Sequence, residues 1–164
     1  MRTTAAARAV PASDGAVVTK QPLTSFDQLQ KPVVLGTNHD EGTYFVYLTD
    51  PYFPLPGKPA GGSCKHHSKN YQCLAEAMFG PAIGTSVLSQ YPIVTGDNRP
   101  VLAQVMTDYL FTCANRYAAE NVPAAQKAYA YQFNAVSGFK WPVTGYVHVC
   151  EKKVCHSAEL PYVF

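Results

Sequence analysis

The segment Lys31-Pro-Val-Val-Leu-Gly-Thr37 constrains the chain most: it is a short apolar run that ends in glycine and opens into the polar stretch Asn38-His-Asp-Glu-Gly42. A run apolar on both faces fits a buried parallel strand rather than a half-solvated one. A second strand, alternating through Ala128, Tyr129, Ala130, Tyr131, Gln132 and Phe133, is expected over Lys127 to Asn134. Between the two lies text with helical spacing. Thr43 to Thr49 starts a short helix, and Asn70 to Gly80 carries Leu74, Ala77 and Met78 on one face. Pro81 to Gln90 places proline in its first turn. Arg99 to Glu120 is the strongest helix, with Val101, Leu102, Val105, Met106, Tyr109, Leu110, Cys113 and Tyr117 at i, i+3/i+4 spacing. Strand, helices, strand is a crossover unit, and it builds a parallel pair. The fold class is α/β. Two parallel strands make no self-sufficient sheet, because such sheets want several strands with helices on both faces.

The 164 residues are long enough for a core, and 47% apolar against 15% charged residues is a globular composition. The 13 prolines and 11 glycines imply long irregular connections, above all over Pro51 to Lys69. Residues 1–28 are a polar, poorly patterned lead-in, and 29–164 hold the patterned part. A net charge of +2 from scattered residues is not the basic stripe of a nucleic-acid binder. No apolar run approaches a membrane span. Met1 to Pro11 has no apolar core of a signal peptide.

The five cysteines fall as two close pairs, Cys64 with Cys73 and Cys150 with Cys155, plus Cys113. This spacing suggests two local disulfides and one unpaired thiol. If both form, a secreted or periplasmic setting is favoured; the compartment is otherwise open. Rival uses exist. Cys150-Glu-Lys-Lys-Val-Cys155-His156 has a form near a haem-attachment signal, and Cys64-Lys-His-His67 with Cys73 has zinc-type donors. Neither matches a standard spacing, so no metal and no cofactor is expected.

Chemistry concentrates in two blocks. Val33-Val-Leu-Gly-Thr-Asn-His-Asp-Glu-Gly-Thr-Tyr-Phe45 resembles the stretch around the triad acid of type-B carboxylesterases and cholinesterases, a strand followed by Gly-x-Asn-x-Asp-Glu-Gly-x-x-Phe. Cys155-His-Ser-Ala-Glu-Leu-Pro-Tyr-Val-Phe164 resembles the family block His-Gly-x-Glu-Leu/Ile-x-Phe-Val-Phe, with Ser157 where glycine is commonest. Taken singly, the first block reads as turn carboxylates and the second as a structural histidine. Together they stand in the order acid then base, 115 residues apart. Asp108-Tyr-Leu-Phe-Thr-Cys-Ala-Asn-Arg116 adds a further likeness, and the resemblance covers residues 9–164.

The resemblance implies the C-terminal part of an α/β-hydrolase fold, with few parallel strands and several helices, acting on a small-molecule carboxylic ester. It makes Glu41 the carboxylate that orients the general base His156. By chemistry alone the adjacent Asp40 is a rival for the acid. Glu159 matches a glutamate that supports the site through a buried polar network. Tyr44 and Phe45 fall where cholinesterases hold aromatic rings against substrate; each also reads as a core ring. No Gly-x-Ser-x-Gly nucleophile elbow occurs in the chain. The serine and the oxyanion-hole glycines are therefore expected in an N-terminal part of the hydrolase that this sequence lacks. In a different class, cholinesterase-like domains also serve as non-catalytic interaction or adhesion modules.

Overall fold

The computed structural model describes residues 13, 15–21, 25–48, 68–137 and 148–164. Strand β1 (Val33–Asn38) pairs in parallel with β2 (Ala128–Phe133), with Gly36 opposite Tyr131. Among the described residues this two-stranded sheet is the whole of the strand structure. Both sequence-predicted strands are present within a residue or two of their expected ends. Glycine at position 36 serves packing: a Cβ there would collide with the Tyr131 ring, which lies across it.

Helix α1 (Glu41–Leu48) follows β1 after a two-residue turn. It lies against α4 (Arg99–Met106) so closely that a Cβ on Gly42 would overlap the Ala103 carbonyl oxygen and sit 2.8 Å from Met106 Cβ. Only glycine permits that approach. The Gly42 N–H, left without an intrahelical acceptor in the first turn, donates to Thr107 Oγ1 at 2.9 Å. Thr107 Oγ1 in turn donates to the Ala103 carbonyl at 2.9 Å.

Helices α2 (Ser68–Phe79) and α3 (Pro81–Gln90) pack on each other and close the core over α1 and α4. The core is built of Val46, Tyr71, Leu74, Leu102, Val105 and Met106. Tyr71 donates its hydroxyl to the Tyr91 carbonyl at 3.0 Å, and burial pushes its pKa up to about 12. Its polar tip is thus satisfied where its ring is buried.

The expected single helix from Arg99 to Glu120 is corrected in its middle. Thr107–Thr112 is a π-helical segment between α4 and α5 (Cys113–Glu120). It begins at Thr107, where the hydroxyl back-bonds to its own helix and meets α1, and such back-bonding bends helices. The expected apolar stripe divides there too. Leu102, Val105 and Met106 are buried, whereas Tyr109 (57%), Leu110 (46%) and Tyr117 (49%) stay exposed. Among the described residues no helix is long and apolar enough to cross a membrane.

Candidate active site

Because β1 and β2 run parallel, the loops that follow them leave the sheet at the same end. The first places Glu41 at the start of α1, where the N-terminal dipole favours a carboxylate. Glu41 is 5% exposed and needs partners for both oxygens. Oε1 accepts the Asn38 N–H at 2.8 Å, and Oε2 lies 2.6 Å from His156 Nδ1.

A carboxylate only accepts, so this contact puts the ring proton on Nδ1 and leaves Nε2 as the free acceptor. The Glu41 hydrogen bond holds the His156 pKa above its ordinary value. Burial works against it, while the Glu41 and Glu159 charges add to it. Phe45 and Phe111 stack on each other, 5.9 Å between centroids, and the imidazole leans tilted against both (5.0 and 5.5 Å), with its side chain 40% exposed. The result is an imidazole oriented by a carboxylate and partly open to solvent, an arrangement that can accept a proton at Nε2.

Asp40, the chemical rival for the acid, points elsewhere. Its Oδ1 takes the Lys153 ammonium at 2.7 Å and its Oδ2 the Val154 N–H at 3.0 Å, while its own N–H donates to the Val154 carbonyl at 2.9 Å. Burial works to raise the Asp40 pKa, but Lys153 and the Val154 amide outweigh it and hold the carboxyl below its ordinary value. No motif spacing announces this link, which joins residues 114 positions apart.

Glu159 accepts the side-chain amide of Asn38, the residue whose backbone binds Glu41. The two glutamates are thereby bridged through one residue. Tyr44 touches Phe45 edge-on, at 5.6 Å between centroids; it is Phe45 that reaches His156. Phe45 is also partly buried against the core, as its reading as a core ring expects. Phe111, with no role assigned from the sequence, is a ring of the site by virtue of its place in the π-helical segment.

Ser157 has φ 72°, the only non-glycine residue with positive φ among those described. The cost of the departure from glycine is therefore backbone strain in the turn after His156 rather than side-chain crowding. Cys150 and Cys155 are disulfide-bonded, with Cα atoms 5.6 Å apart, which consumes the thiols that haem attachment would need. Cys73 is disulfide-bonded, and its expected partner Cys64 lies outside the described residues. Cys113 is free and exposed. No cluster of metal-ligating side chains occurs among the described residues.

The chain is 34% identical over 163 residues to the Crystal protein of Dictyostelium discoideum, covering 94% of the chain and 26% of that protein. It is 29% identical over 164 residues to the cAMP-regulated D2 protein of the same organism, covering 94% of the chain and 27% of that protein. The chain thus spans about a quarter of the length of these curated relatives. A solved structure of PNB esterase superposes with a TM-score of 0.55 at 21% identity, over 93% of this chain and 28% of that one. The shared architecture is part of the α/β-hydrolase fold. A family model described as Carboxylesterase family matches residues 1–164, and on that match the chain belongs to the carboxylesterase family.

Proposed function

We propose that the chain is the acid- and base-bearing part of a serine carboxylic-ester hydrolase, whose serine and oxyanion hole belong to a preceding region. The observation that carries this reading is the Glu41–His156 contact, 2.6 Å long and made from the only orientation that frees Nε2. In the complete site neutral His156 takes the serine proton at Nε2 as the hydroxyl attacks the ester carbonyl. The imidazolium is stabilised by Glu41 and then returns the proton to the alcohol that leaves. A second round with water releases the acid. The exposed large apolar side chains of Tyr109, Leu110 and Tyr117 support the reading, since they are of the kind a further layer covers.

The test is reconstitution. The chain alone is expected to hydrolyse p-nitrophenyl esters no faster than free imidazole, because losing the nucleophile costs on the order of 10⁶-fold in turnover. Fused to the N-terminal part of a family relative that contains the nucleophile elbow, it should become an esterase. In that fusion His156→Ala should abolish activity, and Glu41→Gln should lower kcat by roughly 10⁴-fold through the wrong tautomer. A soluble, folded fusion whose activity ignores His156 ends the proposal, and a folded fusion with no activity favours a non-catalytic interaction module.

A further inference from the structure

The Glu41–His156 pair needs a second restraint. The hydrogen bond, with Phe45 and Phe111 against the ring, orients the imidazole but leaves the height of the histidine loop, 115 residues away along the chain, to its backbone. The backbone two residues before His156 supplies what is lacking. Val154 is 3% exposed and is held on both sides by one residue: its N–H donates to the Asp40 carboxylate and its C=O accepts the Asp40 N–H. The neighbouring Lys153 ammonium adds an ion pair to the same carboxylate. Asp40 precedes Glu41 directly, so one dipeptide grips the histidine loop at its backbone and at its ring.

We infer that Asp40 is a positioning residue for His156: by accepting the Val154 N–H it sets the histidine loop at the height where Nδ1 meets Glu41. This inference rests on the reading of Glu41 and His156 as acid and base. It concerns the side-chain oxygen that accepts the Val154 N–H, not the charge of Asp40. Four titratable groups among the described residues face the device. Glu41 and Glu159 act on His156, while Lys153 and His39 (3.2 Å) face the Asp40 carboxylate.

Two double variants of the 164-residue chain separate acceptor from charge. Asp40→Asn/Lys153→Met and Asp40→Ala/Lys153→Met both remove one negative and one positive charge, but only asparagine keeps an oxygen for the Val154 N–H. Far-UV circular dichroism confirms that each is folded. The readout is the pH dependence of His156 carbethoxylation by diethylpyrocarbonate at micromolar protein, resolved by peptide mass spectrometry, since only neutral imidazole reacts. The unaltered chain and the asparagine variant should share a raised midpoint. The alanine variant should fall toward the ordinary imidazole value of about 6.5 and react several-fold faster at that pH. If both double variants match the unaltered chain, the inference is overturned while the acid–base reading stands. If His156 of the unaltered chain itself titrates at the ordinary value, the acid–base reading fails and takes the inference with it. Should the alanine variant not fold, hydrogen exchange of the unaltered chain decides. A Val154 amide exchanging as freely as an unstructured one overturns the inference; strong protection sustains it.

Discussion

The side-chain amide of Asn115 donates to the carbonyl of Gly36 at 2.8 Å, on the edge of β1 that faces away from β2. The direction follows from the ladder. Val33 N–H donates to the carbonyl of Lys127, just before β2, at 2.9 Å and His39 N–H to that of Phe133 at 3.1 Å, so the even-numbered residues of β1 turn their polar groups outward. With Glu41, which accepts the Asn38 N–H on the same edge, the Asn115 amide makes thin cover for a strand.

Unpaired strand edges template association. The isolated chain should therefore self-associate with rising concentration, as read by multi-angle light scattering. Val34→Lys, which puts a charge on a strand residue already 68% exposed, should lower the association. Asn115→Ala should raise it. A chain that stays monomeric in all three forms would show that the edge is already closed.

The turn after His156 holds stored strain. Ser157 at φ 72° sits where an L-residue costs roughly 1–2 kcal/mol. Ser157→Gly should raise the denaturation midpoint by a stability gain of about 1 kcal/mol, and Ser157→Val should lower it by more than glycine raises it. In a reconstituted esterase the glycine variant should keep its KM, because the hydroxyl of residue 157 is assigned no contact with substrate.

Close helix packing sets the position of the acid. Gly42→Ala places a methyl against the Ala103 carbonyl and the backbone N of Thr107, so α1 and α4 must part. Overpacking of this kind costs about 1–3 kcal/mol. The larger effect should be on chemistry, since Glu41 rides on the same first turn. Urea unfolding and the kcat of the fusion should fall together, and an unchanged pair of values would mean that the helices slide freely.

Histidine 156 has its pKa raised in the folded chain, chiefly by the Glu41 hydrogen bond. Stabilisation from the protonated pair is then fully present below the unfolded imidazole value of about 6.5, and is lost as pH rises through the higher folded value. The urea midpoint should accordingly drop across neutral pH, and Glu41→Gln should flatten that drop. Asp40, held below its ordinary value, acts in the opposite sense: its stabilisation is present above the unfolded carboxyl value and is lost only as pH falls through the folded one. The catalytic consequence runs with the histidine. Activity of the complete site should need a pH above the ordinary imidazole midpoint, because only neutral His156 accepts a proton.

Local signals were legible in the residues and long-range ones were not. Proline at the head of α3 and the apolar run of β1 announce those elements directly. Glu41 and His156 could be named because their immediate neighbours form recognisable blocks. Asp40 could not be separated from Glu41 by chemistry, since what distinguishes them is a backbone N–H far along the chain. The π-helical segment was invisible for a related reason: its residues keep helical spacing, and the extra residue per turn answers to a contact between Thr107 and Gly42. The stripe over Tyr109 to Tyr117 marks an apolar surface, and spacing alone does not say which partner covers it.

The ring of Tyr131 lying across Gly36 works as a key in a slot. A parallel pair of two strands has little else to fix its alignment, and sliding one strand by two residues would bring the ring onto Val34 or Asn38, where a side chain already occupies the space. The fit therefore indexes the sheet, and through it the relative height of the two loops that end in Glu41 and His156. It also limits how the pair can change. A side chain at position 36 is admissible only with a smaller one at position 131, so substitutions here are expected to succeed in couples and fail singly.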